Sequence, residues 1–450
     1  MKMTEKITSA RLGLLVGQRN YRELRKLLSE MNPVDIAGFI NDLPLEETVI
    51  TFRLLQKDAA ADVFSELDSD SQRNLAEAIN DKEVSSLFDA LAIDDAVDML
   101  EEMPAELVKR ILGNASGDTR ALLNQYLLYP EDSIGSVMTA EFTDLSPNMT
   151  AAEAVNHIRK FGQDKETIYN CYVVDNKRLL LGVIGVRRLL TANGNEQVSD
   201  LMSQNTIFVH TTQDKEEASK LLSKYSFISL PVVDDEQRLV GIVTIDDAAD
   251  VLQDETTEDI ERMAAMAPSD KPYLKTKVMT LAKNRFLWLL VLMLSGIVSE
   301  MVVGKFELAI SAVPLLVAFI PMLSDMGGDA GSQVSTLVIR GMALDEVDNK
   351  STMVLFGKEA LVSLMVGIPL AILNFVRVYY ADGNMLVALT ISVALVCTIL
   401  MANTLGVFFP VLARKMKIDP ALMATPMIAT VVDILSMLIY FSLARALLGI

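Results

Sequence analysis

The chain has 450 residues, enough for roughly two to four domains, and its charge is unevenly distributed. Before Lys271 there are 26 basic and 48 acidic residues, a net charge of −22, whereas 14 basic and 11 acidic residues from Lys271 onward give +3. The acidic front half argues against nucleic-acid binding, which needs clustered Lys and Arg. Two cysteines and two histidines exclude a disulfide framework and a Cys/His zinc site, so any metal would have oxygen ligands.

Residues 1–131 are predicted to form a small α-helical solenoid with an acidic face. Apolar residues recur at helical spacing, for example in 35–40, 61–67 and 95–100, and Leu-Pro or Met-Pro pairs separate the short helices. The N-terminal segment lacks the apolar core of a signal peptide. We therefore expect this domain to be cytosolic.

Residues 132–247 contain an internal duplication. The segment 172–175 recurs as 231–234, and 181–185 recurs as 240–244, both at an offset of 59 residues. Short β-branched strands and intervening helices predict a β-α-β-β-α order in each repeat. The region resembles a tandem pair of cystathionine-β-synthase (CBS) domains, an α/β module that often binds adenosine nucleotides.

Residues 248–270 are predicted to form an acidic connecting helix, and residues 271–450 an all-α membrane domain with five transmembrane helices. Each span is an apolar run near the roughly 20 residues that cross a bilayer. The five runs are 286–303, 308–326, 360–376, 385–412 and 421–448. Helices of a soluble core are the alternative, but five successive runs exceed what such a core uses. The distribution of Lys and Arg between the connections predicts a cytosolic front half and an external C-terminus.

Two features of the membrane domain are candidates for an ion path. Asp433 lies within the last apolar run, where a carboxylate needs water, a partner or an ion; a structural hydrogen bond is the alternative. The three glycines of the segment 327–331 are flanked by Asp325, Asp329 and Gln333. They are predicted to break the helix and free backbone carbonyls, although close helix packing is equally compatible.

The glycine-rich segment, the stretch 419–433, the CBS pair and the acidic helical front together resemble the MgtE family of magnesium channels over essentially the whole chain. The resemblance implies a homodimer with a pore on its two-fold axis and a hydrated Mg²⁺ at Asp433. The pore residues implied by this resemblance are Asp433, Asp329, Gly328, Gln333 and Ala429. Asp329 departs from the family, which usually has Asn there, so ion preference or pH response is expected to differ.

The cytosolic carboxylates are candidates for a Mg²⁺ sensor. Asp94 and Asp98 share one helix face at i,i+4, where they repel each other unless a cation bridges them. By resemblance, the sensor positions are Asp62, Asp94, Asp98, Asp214, Asp247, Glu255, Glu258, Asp259 and Asp419. The implied mechanism is closure when Mg²⁺ bridges the acidic domains. For each residue alone, an ordinary solvated surface acid is the alternative.

Nucleotide binding is left open by the CBS repeats. Thr244 followed by Asp247 fits the pattern that holds ribose and phosphate, but the first repeat has Gly185 and Arg188 at the corresponding positions. The candidate ATP-binding residues are Arg187, Phe227, Thr244 and Asp250. A structural CBS pair without nucleotide is the alternative.

The combined prediction is a dimeric, Mg²⁺-gated and Mg²⁺-selective channel for Mg²⁺ uptake in a prokaryotic inner membrane. Its partners would be the lipid bilayer and divalent cations, without nucleic acid. The sequence has no Walker-type phosphate loop and no nucleophile-base set, so we do not expect an enzyme. The alternatives are a broader divalent-cation channel or exchanger, and a CBS-regulated membrane sensor that signals without transport.

Overall fold

The computed structural model describes residues 2–269, 273–344, 346–347, 352–423 and 425–449. The chain divides between Leu252 and Gln253 into two units, each described by itself. The boundary predicted between residues 270 and 271 lies outside the described residues. Unit 1 contains the helical domain and the CBS repeats, and unit 2 contains the long apolar helices.

The predicted helical solenoid is present as ten short helices. Several begin at a side chain that accepts a backbone N–H, such as Asn20, Asp68, Asn80 and Ser116. The helices are α1 Lys2–Gly17, α2 Tyr21–Leu28, α3 Pro33–Asn41, α4 Leu45–Phe52, α5 Lys57–Ser65, α6 Ser69–Ala78, α7 Asp81–Phe88, α8 Ile93–Glu101, α9 Ala105–Asn114 and α10 Gly117–Tyr126. Their apolar faces form one continuous core with the second CBS repeat.

Aromatic rings connect successive layers of this core. Phe52, Phe64 and Phe88 come from α4, α5 and α7, and their rings meet edge to face at centroid distances of 5.9 and 6.5 Å. Such pairs add about 0.5–1.5 kcal/mol each beyond the apolar area that they bury. The core therefore fixes the positions of the short helices that carry the acidic residues.

Both CBS repeats have the predicted β-α-β-β-α order. In each sheet the first strand pairs parallel to the second, and the second pairs antiparallel to the third. The first repeat contains α11 Ile134–Val137, β1 Thr143–Leu145, α12 Ala151–Phe161, β2 Asn170–Val174, β3 Leu180–Gly185 and α13 Val186–Thr191. The second contains α14 Val198–Leu201, β4 Val209–His210, α15 Lys215–Tyr225, β5 Ser229–Val233, β6 Leu239–Thr244 and α16 Ile245–Met263.

Equivalent glycines allow a close backbone approach in the two repeats. A Cβ on Gly182 would lie 2.6 Å from the Ser203 carbonyl oxygen, and one on Gly241 would lie 2.9 Å from that of Thr139. A side chain would displace the backbone at either position. Helix α16 continues from the last CBS strand across the division between the units, so its first turns and its last turns belong to different units.

Within its described residues, and after the last turns of α16, unit 2 contains five long helices and the short helix α18. They are α17 Val278–Gly304, α18 Glu307–Ala312, α19 Ile320–Ala343, α20 Thr352–Asp382, α21 Met385–Lys415 and α22 Thr425–Leu448. Within the described residues, four segments are long and apolar enough to cross a membrane: α17, α20, α21 and the segment Pro420–Leu448 that contains α22. The prediction of five spans is therefore not met in full, because α19 does not reach the same hydropathy.

The second predicted span, residues 308–326, is wrong as a single helix. The structure has the short helix α18, a 3₁₀ helix Pro314–Phe319, and then α19. Val313 has φ −137° and ψ 82° because the residue before a proline is disfavoured in the α region. The long helix therefore begins only at Ile320 and runs well beyond the predicted end.

The prediction that the glycines break the helix is also wrong, and their role is close packing. Gly327, Gly328 and Gly331 are buried within the continuous helix α19. A Cβ on Gly331 would lie 2.7 Å from Ile428 Cγ2 and 3.2 Å from the Ala402 carbonyl oxygen. The glycines thus bring α19 into close contact with α21 and α22.

Candidate functional site

An acidic cluster in unit 1 combines residues from the helical domain and the second CBS repeat. Asp94, Asp95 and Asp98 lie on α8, and Asp247 lies in the first turn of α16. The charge of Asp247 acts on all three α8 carboxylates. We refer to these four residues as the acidic cluster.

The environment of the acidic cluster favours protonated carboxyls or a bound cation. Burial, followed by repulsion from Asp247, raises the pKa of Asp94 to about 8. Partial loss of solvent and neighbouring carboxylates raise the pKa of Asp98 to about 7 and that of Asp95 to about 6, although both side chains still reach solvent. Burial likewise raises the pKa of Asp247 to about 6, against the hydrogen bond from Thr244.

Two polar atoms, Asp94 Oδ1 in this cluster and Tyr126 Oη beside it, are buried and have no hydrogen-bond partner among the residues that the structure describes. An unsatisfied buried acceptor costs about 1–3 kcal/mol, so Asp94 Oδ1 is suited to a proton, a water or a hydrated cation. Within the described residues, no three His, Cys, Asp or Glu side chains converge closely enough to form a ready-made metal site.

The remaining predicted sensor residues of unit 1 differ in their environments. The charge of Asp62, on α5, acts on Asp95 at one end of the acidic cluster. Asp214 is exposed and accepts the backbone N–H of Glu216 at 2.8 Å, so it is the N-cap of α15. The next residue, Lys215, lies close enough to Asp98 to oppose the increase in the pKa of that carboxyl.

Three of the predicted sensor acids surround Arg262 in unit 2. Arg262 forms ion pairs with Glu258, one turn earlier on α16, and with Asp419, which follows α21. The charge of Glu255 also acts on Arg262. The fourth predicted sensor acid of unit 2, Asp259 on α16, is partly buried. Seven of the nine predicted sensor residues thus form two groups: Asp62, Asp94, Asp98 and Asp247 lie in or beside the acidic cluster, and Glu255, Glu258 and Asp419 lie around Arg262.

The nucleotide candidates are distributed over the CBS repeats. Thr244 is buried and its hydroxyl donates to Asp247. The ring of Phe227 is half-buried and stacks on Tyr225 with centroids 5.4 Å apart. Arg187 and Asp250 are both exposed. Because Asp247 belongs to the acidic cluster, the Thr244 hydrogen bond links the nucleotide motif to that cluster.

A polar stripe runs along an exposed face of α19. Asp325, Asp329 and Gln333 are spaced by four residues and are all exposed. On the adjacent packed side, a Cβ on Gly328 would lie 3.6 Å from the Cβ of Ala429, on α22. Exposed carboxylates on a helix among apolar neighbours need water or another polar surface.

Asp433, on α22, is half-buried and has Ser324 and Asp325 as electrostatic neighbours on α19. Its backbone carbonyl accepts the hydroxyl of Ser436 at 2.9 Å. Asp433 therefore lies beside Asp325, the first residue of the polar stripe on α19. The predicted pore residues all lie on the packed pair α19 and α22. Gly328 packs against Ala429, Asp329 and Gln333 are exposed on α19, and Asp433 is half-buried on α22.

Sequence reasoning missed several members of these sites. Asp95 and Glu166 both act electrostatically on Asp94 or Asp247. Asp95 lies three residues before Asp98, so an i,i+3 search of α8 would have found it. Glu166 lies in a loop, where no spacing rule applies. Arg262 was overlooked because only acids were considered on the connecting helix.

Matches to known proteins agree with this architecture. Family models match as a divalent cation transporter domain over residues 320–443, the MgtE intracellular N domain over 31–132, and CBS domains over 134–194 and 198–254. The magnesium transporter MgtE of Thermus thermophilus is 36% identical over 430 residues, 95% of each chain. The chain belongs to the MgtE family. The MgtE of Bacillus subtilis is 31% identical over 97% of this chain and 96% of its own length.

Two solved structures each match just over half of the chain. One, the soluble part of a magnesium transporter, has a TM-score of 0.53 and 26% identity and covers 56% of this chain and 99% of its own. The other is the cytosolic domain of the Mg²⁺ channel MgtE in complex with ATP, with a TM-score of 0.52 and 34% identity, covering 54% and 99%. MgtE proteins are membrane transporters, in agreement with the apolar helices of unit 2.

Proposed function

We propose that this chain is a Mg²⁺-selective channel that mediates Mg²⁺ uptake across a prokaryotic inner membrane and closes when cytosolic Mg²⁺ is high. The single observation that carries the transport proposal is the position of Asp433 beside the polar stripe of α19, in a unit of otherwise apolar helices. The names of the full-length relatives support Mg²⁺ as the cargo.

We propose that two copies of the chain form the pore. The polar stripe of Asp325, Asp329 and Gln333 is exposed in one chain, and a charge facing lipid is expensive. A second copy related by two-fold symmetry would cover the stripe and create a polar channel. Asp433, Asp329, Gly328, Gln333 and Ala429 would then line the ion path.

The proposed path suits a hydrated ion. Mg²⁺ releases its water reluctantly and demands octahedral geometry, so carboxylate and amide oxygens that bind its water shell would select it by size and charge. Asp433 would provide the main negative charge, with Gln333 contributing an amide. The excess of Lys and Arg on the N-terminal side of the spans supports a cytoplasmic N-terminus and an external C-terminus.

Gating is assigned to the acidic cluster. With little Mg²⁺, the carboxylates on α8 repel Asp247 of the CBS repeat, and the separated state is favoured. With high Mg²⁺, ions that bind the closed arrangement better shift the population towards it. The raised pKa of Asp94 and its unsatisfied Oδ1 support a cation-dependent contact at this position. Residues 1–131, 132–247, 248–270 and 271–450 would be the sensor, CBS, connecting and pore domains.

ATP is proposed as a second ligand of the CBS pair. A relative with 34% identity has been crystallised with ATP on its cytosolic domain. Here Thr244 and Asp250 would contact the ribose, Phe227 the base and Arg187 the phosphates. Binding of ATP to the full-length chain, and its loss in Thr244→Val, would support this ligand. No catalytic role is proposed for the chain, in keeping with a transporter family.

A broader divalent-cation transporter is the second candidate, favoured by the description of the matched pore domain as a divalent cation transporter. A flux assay in vesicles with Mg²⁺, Ca²⁺, Mn²⁺ and Co²⁺ distinguishes the two. Selective Mg²⁺ flux supports the first, and comparable fluxes support the second. A membrane sensor without transport predicts no flux of any ion.

The residue test of the transport proposal is Asp433→Ala in the same vesicles. Mg²⁺ flux should be abolished while the dimer stays intact on size-exclusion chromatography. Glu300→Gln, which removes an acid from α17 outside the proposed path, is the matched control and should transport normally. Undiminished flux in Asp433→Ala would rule out this pore assignment.

A further inference from the structure

A bridge of three charged side chains joins the connecting helix to the segment that precedes α22. The Arg262 guanidinium contacts Glu258 Oε1 and Asp419 Oδ2. The three side chains are only 33%, 30% and 25% exposed, so the bridge is partly shielded from water and salt. All three residues belong to unit 2.

Asp419 also connects the bridge to the segment that leads into α22. Its Oδ1 accepts the backbone N–H of Ala421 at 2.8 Å, which caps the 3₁₀ helix Pro420–Met423. That short helix precedes α22, the helix of Asp433. One carboxylate therefore contacts the connecting helix with one oxygen and orders the approach to α22 with the other.

The chain that follows the connecting helix is hydrogen-bonded to α17. The backbone N–H of Ala267 donates to the carbonyl of Asn284 at 3.2 Å, and the Asn284 amide donates to the carbonyls of Ala267 and Pro268, both at 3.3 Å. Asn284 lies on α17. The end of the connecting helix is thus held at two points, by Arg262 at Asp419 and by the backbone at Asn284.

We propose that Arg262 is a positioning residue, a permanent cation that holds the C-terminal half of α16 to the start of α22 without a divalent ion. The inference rests on the proposed function, which makes α22 the pore helix. Glu258 and Asp419 are two of the predicted Mg²⁺ ligands, but in this chain the guanidinium already pairs with both. The acidic cluster around Asp94 then senses Mg²⁺, and the Arg262 bridge transmits the position of α16 to the pore helix.

The chemistry of the Arg262 side chain supports this division of roles between the acidic cluster and the bridge. A guanidinium is always charged at physiological pH and presents several N–H donors in a fixed plane, so it can bind two carboxylates at once. Its attraction to them does not depend on Mg²⁺ concentration. A tether of this kind stays closed while Mg²⁺ varies, whereas a site filled by Mg²⁺ would open as the ion is removed.

The test is hydrogen exchange of residues 255–263 in the full-length protein in lipid nanodiscs, with EDTA and with saturating Mg²⁺. In EDTA, Arg262→Gln should exchange about tenfold faster than the unmodified chain, equivalent to about 1.4 kcal/mol. The exchange rate of Arg262→Lys, which keeps the charge but loses the planar guanidinium, should fall between those of Arg262→Gln and the unmodified chain. Lys277→Gln removes a charge from the exposed start of α17 and should have no effect.

A double-mutant cycle identifies the partner. Asp419→Asn should accelerate exchange in the same segment, and Arg262→Gln with Asp419→Asn should be no faster than the faster single variant, because both remove one contact. Exchange in α21 serves as the check of folding. Additive effects, or an Arg262→Gln variant that matches the unmodified chain in EDTA, would overturn the proposal.

Mg²⁺ provides the decisive comparison. If Mg²⁺ slows exchange of residues 255–263 about tenfold in the unmodified chain, the ion rather than Arg262 holds the helix, and the proposal fails. This readout does not require transport. Absence of Mg²⁺ flux would refute the proposed function while leaving the exchange result valid, and normal flux with no effect of Arg262→Gln on exchange would refute the tether alone.

Discussion

Asp94 on α8 and Asp247 on α16 place two like charges at the contact between the helical domain and the second CBS repeat. Burial and the charge of Asp247 raise the pKa of Asp94 to about 8, and the pKa of Asp247 is raised by its own burial to about 6. Two such carboxylates stay together only when a proton or a cation reduces their repulsion. Their contact is therefore sensitive to both pH and divalent ions.

Replacing Asp94 by Asn should uncouple the helical domain from Mg²⁺. Without divalent ions, the variant should be more resistant to protease than the unmodified chain, because one source of repulsion is gone. The Mg²⁺ concentration for half-maximal protection should rise about tenfold, equivalent to about 1.4 kcal/mol of lost binding free energy. Limited proteolysis of the full-length protein across a Mg²⁺ titration measures both effects.

Asp35→Asn is the matched control for this experiment. Asp35 is an exposed acid in the first turn of α3, in the same helical domain but without contact to the acidic cluster. It removes the same charge, so a general effect of net charge would appear in both variants. An equal shift in the two titrations would contradict a local role for Asp94.

The same carboxyls predict a pH dependence of Mg²⁺ binding. Asp94 and Asp98 have pKa values raised to about 8 and about 7, so they hold protons near neutral pH that Mg²⁺ must displace. The Mg²⁺ concentration for half-maximal protection should fall as the pH rises from 6 to 8, by up to roughly tenfold per pH unit for each displaced proton. Hydrogen exchange corrected for intrinsic rates measures this shift.

Mg²⁺ binding becomes stronger as the pH rises, but the folding stability measured without divalent ions should become lower. A carboxyl whose folded pKa is raised binds more protons in the folded state than in the unfolded state, so stability decreases as the pH rises from about 4 to about 8. The contribution of Asp94 decreases across the whole of that window, and above pH 7 Asp94 is the last of the four carboxyls still to lose its proton, because its pKa of about 8 is the highest. In Asp94→Asn the decrease above pH 7 should be smaller, and an unchanged profile would exclude this carboxyl as its source.

Gly406→Ala should disrupt the packing of α19 against α21. A Cβ at residue 406 would lie 2.5 Å from the carbonyl oxygen of Gly331 and 3.0 Å from Val334 Cβ. Backbone cannot yield as a flexible side chain does, so the expected loss of stability is about 1–3 kcal/mol. The melting temperature of the protein in detergent and its Mg²⁺ flux in vesicles should both decrease.

Gly296→Ala on α17 provides the comparison for this variant. Among the described residues, no atom outside the backbone of α17 itself lies within 4 Å of the Cβ that it would add, and Ala favours a helix over Gly by about 0.8–1.0 kcal/mol. Its melting temperature should be unchanged or slightly higher. If both variants melt alike, the close contact of Gly406 with Gly331 does not limit stability.

The repeat structure was predictable from sequence because its causes are local. Alternating β-branched residues and an offset of 59 residues give the strands of both CBS repeats, and short periodic segments give the helical domain. The sequence could not decide between a helix break and close packing for the glycines of 327–331, because their role depends on partners far away in sequence. Only the fold reveals that Gly331 meets Ala402 and Ile428.

The residues of the candidate sites also differ in whether their partners are close in sequence, and so in whether they could be predicted. The i,i+4 pair Asp94 and Asp98 could be read from helical spacing, and it lies in the acidic cluster. Arg262 could not be assigned, because its partner Asp419 is 157 residues away. The apolar run 308–326 did not predict the bounds of α19, because the polar face of this helix lowers the mean hydropathy of residues 320–343 below that of the four apolar segments.

Asp329→Asn, which removes one charge and keeps the shape of the side chain, should reduce Mg²⁺ flux if the polar stripe faces the ion path. Asp329 is exposed one turn after Asp325 and one turn before Gln333, so its charge would raise the local Mg²⁺ concentration at the path. We expect flux to fall severalfold at low ionic strength and less at high salt, because salt screens such charges within roughly 8–10 Å. Gln333→Glu, which adds a charge on the same face, should have the opposite effect. Flux that depends on neither substitution would mean that this face of α19 contacts protein instead of the permeating ion.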